Sequence, residues 1–243
     1  MFSVKSSPLV MVILLISGVV LAQKPDSLLL KNYRPQSAYK IPVTRVERAK
    51  FPVIDMHSHY NYAKSVQEIE AWIALMDKFG IEKVVLLTQS TGARFDSIYN
   101  VYSPYLDRFE LWCGFDYTGY EEPGWGETAI RELERCAKVG ARGVGELGDK
   151  GLGETFSRPV PGKGMHPDDK RMQPLFQKCA ELGLPVSLHT GDPIWMYEPM
   201  DSTNDGLMNG YKWRLDATKP GFRDHKAMIA TLENVVKANP KTT

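Results

Sequence analysis

The sequence predicts an α/β fold with a parallel sheet flanked by helices. Three observations predict it. From Pro52 onward, short apolar strands alternate with amphipathic helical stretches. The strands begin near residues 53, 83, 110, 141 and 185, so successive starts lie 30, 27, 31 and 44 residues apart. The run Lys83 to Thr88 is apolar enough for burial on both faces, as parallel strands require. Right-handed crossovers then give either a doubly wound sheet or a (β/α)8 barrel. No G-x-G-x-x-G follows the first strand, which counts against a dinucleotide-binding version.

Each element has its own signal. Val53 to His57 is the first strand. Ser65 opens a helix, with Glu68 three residues on as the partner of a capping box, and Gly80 closes it. Val66, Ile69, Ile73 and Met76 share its inner face. A weaker helix spans 95–107, interrupted by Pro104, and a third strand spans Leu111 to Tyr117. A helix follows over 127–138, then a fourth strand from Ala141 to Leu147. After a Gly-rich loop, Met172, Leu175, Phe176 and Cys179 recur with helical spacing. Pro185 to His189 is the fifth strand. A long loop, 190–222, precedes a last helix that Asn239-Pro240 stops.

Three segments organise the chain. Lys5 and the apolar run Leu9 to Leu21, ending in Val20-Leu21-Ala22, predict a signal peptide over 1–22. The run is too short for a spanning helix, which needs about 20 apolar residues. Export to the periplasm or the medium is therefore expected, with no stable membrane insertion after cleavage. Residues 23–51 form an extension broken by Pro25, Pro35 and Pro42, and 52–243 form the domain. Lys and Arg number 30 against 29 Asp and Glu, so the basic excess that nucleic-acid binding calls for is missing. Cys113, Cys136 and Cys179 are not spaced as a metal clip or redox pair and read as small buried hydrophobes.

The chemistry concentrates at strand ends. In Asp55-Met56-His57-Ser58-His59, alternate side chains point the same way, so His57 and His59 project together where the first strand ends. Paired imidazoles suit a divalent transition metal. His189 ends the fifth strand and Glu146, in Gly145-Glu146-Leu147-Gly148, ends the fourth. Singly, each has an ordinary role, a backbone hydrogen bond or a salt bridge. Active sites of parallel α/β folds form at this end of the sheet, which makes the set a candidate metal centre. The loop after His189 carries Asp192, Trp195, Tyr197, Glu198, Asp201, Asn204, Tyr211, Lys212 and Arg214, groups able to stack on and orient a small substrate. His166 could reach the same pocket from the fourth loop, although a structural role is the simpler reading. His225 opens the last helix and reads as a capping or surface residue.

Ile54-Asp55-Met56-His57-Ser58-His59 and Val186-Ser187-Leu188-His189-Thr190-Gly191 together resemble the amidohydrolase superfamily, most closely its amidohydrolase-related (amidohydrolase 2) branch. The resemblance covers 52–243. It implies a metal-dependent (β/α)8 TIM barrel, of which about five βα units are present. It also implies His57, His59 and His189 as metal ligands, with Glu146 at the position of a metal-binding carboxylate. The implied cofactor is a divalent metal ion, zinc first, with manganese or iron as alternatives. The implied activity is hydrolysis of a lactone, ester or amide of a small molecule, with decarboxylation as the nearest variant. Gly145-Glu146-Leu147-Gly148 also looks like TatD-type nucleases, which the balanced charge and the leader disfavour. Relatives add a sixth-strand His and an eighth-strand general-base Asp, both expected beyond Thr243. At about 30 residues per unit, the barrel is expected to be incomplete. The chain by itself would then be an inactive fragment, with an open edge where copies could associate.

Overall fold

The computed structural model describes residues 29–47, 49–206 and 215–243. The expected leader, together with Tyr211, Lys212 and Arg214, lies outside the described residues. Among them, no helix is long and apolar enough to cross a membrane. The chain divides after Arg45. Before it, residues 29–45 carry one short 3-10 helix, Leu30–Asn32, and otherwise irregular chain. Tyr39 and Ile41 there are exposed.

Among its described residues, the second unit holds five strands and five α-helices in alternation. These are β1 (Val53–Ser58), α1 (Val66–Phe79), β2 (Ile81–Leu87), α2 (Gly92–Tyr102), β3 (Phe109–Trp112), α3 (Trp125–Val139), β4 (Val144–Asp149), α4 (Gln173–Leu182), β5 (Val186–Thr190) and α5 (His225–Ala238). The local signals act as predicted at α1. Ser65 and Glu68 form the reciprocal capping box, and Gly80 closes the helix at φ 75°. Asp224 caps α5 by accepting from the Ala227 amide at 2.8 Å. Thr91 makes no such bond at the start of α2. A side chain from α3 replaces it: Glu132 Oε1 accepts from the Gly92 amide at 2.7 Å.

Among the described residues all pairing is parallel, with β2 between β1 and β3 and with β4 beside β5. A bridge between Cys113 and Val144 joins the two groups. The strands therefore stand in the order 1-2-3-4-5. A doubly wound sheet reverses its order at a switch point. No reversal occurs here, so the strands form part of a barrel wall and the doubly wound alternative falls. Val84 and Leu86 join the main core between sheet and helices, while Val85, Leu87 and Trp112 form a second cluster on the opposite face. The two-sided burial read from β2 is thus present. β1 is less covered, with Ile54 and Met56 more than half exposed. Beside the start of β5, the Val186 amide donates to the Thr243 carbonyl at 2.8 Å.

Two strands differ from their predicted spans. β3 ends at Trp112 rather than Tyr117, because the chain then passes tightly over Gln89. A Cβ on Gly114 would lie 2.8 Å from the Gln89 carbonyl. β4 starts three residues late, at Val144, and runs to Asp149; the Trp112 ring lies over Gly143 just before it, where a Cβ would lie 2.3 Å from the ring. Glu146 consequently sits within the strand rather than at its end. The three cysteines are free and buried.

Candidate metal centre

Glu146 is the hub. It is 5% exposed. Its Oε1 lies 3.7 Å from His57 Nε2, and its Oε2 lies 3.7 Å from His59 Nε2. One ligand atom from each of the three residues falls within 4.8 Å of the others. β1 supplies His57, the residue just past β1 is His59, and β4 supplies Glu146; the rings of His57 and His59 meet edge to face at 5.3 Å. His59 Nδ1 lies 3.0 Å from the Leu87 carbonyl, an acceptor only, so Nδ1 donates there and the ring turns Nε2 toward Glu146. Burial alone would raise the Glu146 pKa. The hydrogen bond and charge of His189, with the nearby His57 and His59, outweigh burial and hold it below the ordinary carboxylate value. Two imidazoles and a carboxylate form a donor set suited to a divalent transition metal.

His189 joins this group through Glu146 rather than as a fourth free donor. Its Nδ1 bonds Glu146 Oε1, and its Nε2 lies 3.3 Å from Asp192 Oδ1. Hydrogen bonds to Asp192 and then Glu146 push its pKa up to about 9. Asp192 is also paired with Lys150 at 3.0 Å. Lys150, Asp192, His189 and Glu146 thus form a line of alternating charge across the ends of β4 and β5.

The other expected site residues stand in different relations to this line. The Tyr197 hydroxyl donates to the Lys150 carbonyl at 2.7 Å and accepts from the Asp192 amide at 3.1 Å. Trp195 packs against its own loop, so closely over Gly206 that a Cβ there would meet the indole at 2.1 Å. His166 is buried, with one nitrogen on Asp149 and the other on the Gly221 carbonyl. His225 is the first residue of α5, and its ring lies against Tyr197.

Three residues escaped the sequence reading. Gln89 Nε2 donates to Glu146 Oε2 at 3.3 Å from a left-handed backbone, φ 53°, unusual for a residue other than glycine. The Phe156 ring stands edge-on to His189 at 6.1 Å. Lys150 follows β4 directly. Gln89 and Lys150 obey the same strand-end rule that found His189, and it could have found them too.

The sequence profile of the amidohydrolase family matches residues 54–240. No curated protein matches the chain. Among solved structures, one from Staphylococcus aureus assigned to the amidohydrolases aligns at TM-score 0.50 and 16% identity, covering 78% of this chain and 65% of that one. The 2,6-dihydroxybenzoate decarboxylase from Rhizobium aligns at TM-score 0.48 and 18% identity, covering 79% and 65%. The 5-carboxyvanillate decarboxylase from Novosphingobium aromaticivorans, complexed with manganese, aligns at 0.48 and 15%, covering 83% and 67%. The chain therefore spans 65% of the length of the first two. Profile and barrel wall agree, and the chain belongs to the amidohydrolase family, in its amidohydrolase 2 branch.

Proposed function

We propose that this chain carries the metal-binding part of an enzyme that hydrolyses a lactone, ester or amide bond of a small molecule. The observation that supports the reading is one buried carboxylate, Glu146, facing His57, His59 and His189 at the end of a barrel wall. A divalent ion, zinc first and manganese or iron next, would be held by His57, His59 and Glu146. When bound, such an ion supplies Lewis-acid polarisation of a carbonyl and acidification of a water. The chain's own residues prepare that chemistry. Leu87 orients His59, and Gln89 and His189 fix Glu146. Asp192 holds the remaining His189 nitrogen, and Phe156 offers an apolar ring at the same place.

Lys150 favours a second reading, decarboxylation of an aromatic acid. It is a partly exposed cation on the rim of the site, able to meet a substrate carboxylate. One experiment separates the two. The full-length protein is purified gently, its metal content measured, and panels of lactones, esters, amides and aromatic acids assayed for hydrolysis and carbon dioxide release. Hydrolysis that needs metal supports the first reading, and metal-dependent carbon dioxide release the second. Absence of bound zinc, manganese and iron, with no activation when they are added, sinks both.

The protein is further proposed to work outside the cytoplasm after removal of 1–22, from the apolar run ending at Ala22. A mature chain beginning at Gln23 supports this, and an intact Met1 on the mature protein refutes it.

A further inference from the structure

We infer that His166 is a positioning residue. It fastens the far end of the connection after β5 to the end of β4, and so sets where Asp192 stands against His189. Asp149, the last residue of β4, is fully buried. Its Oδ1 accepts from the Gly151 and Gly153 amides, both at 2.9 Å. Its Oδ2 faces His166 Nδ1 at 2.6 Å, and His166 Nε2 lies 3.1 Å from the Gly221 carbonyl. A carboxylate and a carbonyl only accept. The ring therefore bridges the two, with one nitrogen hydrogen-bonded to the Asp149 carboxyl and the other to the Gly221 carbonyl. Removing one member of such a bridge leaves buried polar groups without their partner.

The pair grips the connection from two sides. At its far end, Gly221 is held by His166, the Arg223 amide donates to the Gly151 carbonyl at 2.8 Å, and Arg223 Nη1 pairs with Asp168 at 2.7 Å. At its near end, the Gly191 amide donates to the Asp149 carbonyl at 2.8 Å. The two ends meet in the Tyr197 ring, which packs on Phe222 at 6.2 Å. The Tyr197 hydroxyl receives the Asp192 amide, and Asp192 faces His189. The path runs from His166 through Gly221, Phe222, Tyr197 and Asp192 to His189. Both nitrogens of His166 are used by the protein, so it acts through these neighbours and not on a substrate.

The inference does not depend on the metal reading, and the test separates the two. Hydrogen exchange is followed amide by amide in the full chain, wild type and His166→Ala, with zinc binding titrated in parallel. His166→Ala is expected to speed exchange at Gly191, Asp192 and Arg223 at least ten-fold. α1, β2 and α2 should be unchanged, and zinc affinity should stay within about two-fold. His166→Gln, which keeps one donor, should fall between. Unchanged exchange at those three amides overturns the inference. Equal acceleration throughout the domain overturns it too, since His166 would then act on overall stability. Should His166→Ala fail to fold, two measurements remain. Phe222→Ala must speed exchange at Asp192 while sparing Gly151 and Gly153, and no change at Asp192 overturns the path. In the wild type, the imidazole 15N shifts of His166 must report a hydrogen bond at each nitrogen, and a nitrogen without one overturns it.

Discussion

The Nδ1 of His59 lies 3.0 Å from the carbonyl oxygen of Leu87, the last residue of β2, and this contact turns the other nitrogen toward Glu146. β1 and β2 are neighbours in the sheet, so the orientation of a side chain after one strand is set by the backbone of the next. Replacing His59 by Ala removes a donor that is already oriented. Divalent-metal affinity is expected to fall by at least about 100-fold, above the usual cost of losing an outer partner. Competition against a chelating dye measures it. An unchanged affinity would remove His59 from the ligand set.

Metal binding should also appear as stability. A ligand at a hundred times its Kd stabilises the folded state by about 2.7 kcal/mol. Thermal unfolding with zinc or manganese should therefore shift upward, and a chelator should reverse the shift. Glu146→Gln keeps the size of the side chain but loses its charge, and its unfolding temperature should not respond to either metal.

Glu132 ties two helices together, capping Gly92 of α2 and pairing with Arg135 at 2.8 Å. Glu132→Ala should cost about 1–2 kcal/mol in urea unfolding at neutral pH. The sign of the pH dependence follows from the lowered pKa. Burial raises it, but the hydrogen bonds from Arg135, the Gly92 amide and Cys136 outweigh burial and hold it below the ordinary carboxylate value of 4.5. A depressed folded pKa gives a contribution that is present above about 4.5 and fades as pH falls through the folded value. The gap between wild type and Glu132→Ala should narrow on acidification. A gap that widens contradicts the assignment.

Gly148 leaves room for Phe156. A Cβ at Gly148 would lie 2.1 Å from the Phe156 ring, which stands beside His189. Gly148→Ala should destabilise the domain by about 1–3 kcal/mol through overpacking. The collision is specific, so Phe156→Ala should cost less in the Gly148→Ala background than in the wild type. A double-mutant cycle by denaturant unfolding reads the coupling, and strict additivity would show that the two residues do not collide.

The alternation of strands and helices, the capping box at Ser65 and the pair His57 and His59 were all legible in the sequence. Each is a local pattern, and local patterns follow from the periods of helix and strand and from hydrogen bonds a few residues apart. Tertiary structure decided what lies between distant residues. Strand order separated a barrel wall from a doubly wound sheet, because both share the same alternation along the chain. Pairing of β4 with β5 as far as Asp149 and Thr190 put Glu146 inside the strand. His189 turned out to hold two carboxylates at once, and His166 to bond Asp149, 17 residues away, and Gly221, 55 away. A side chain's partners are set by which strands come to lie side by side, and residue spacing alone carries no record of that.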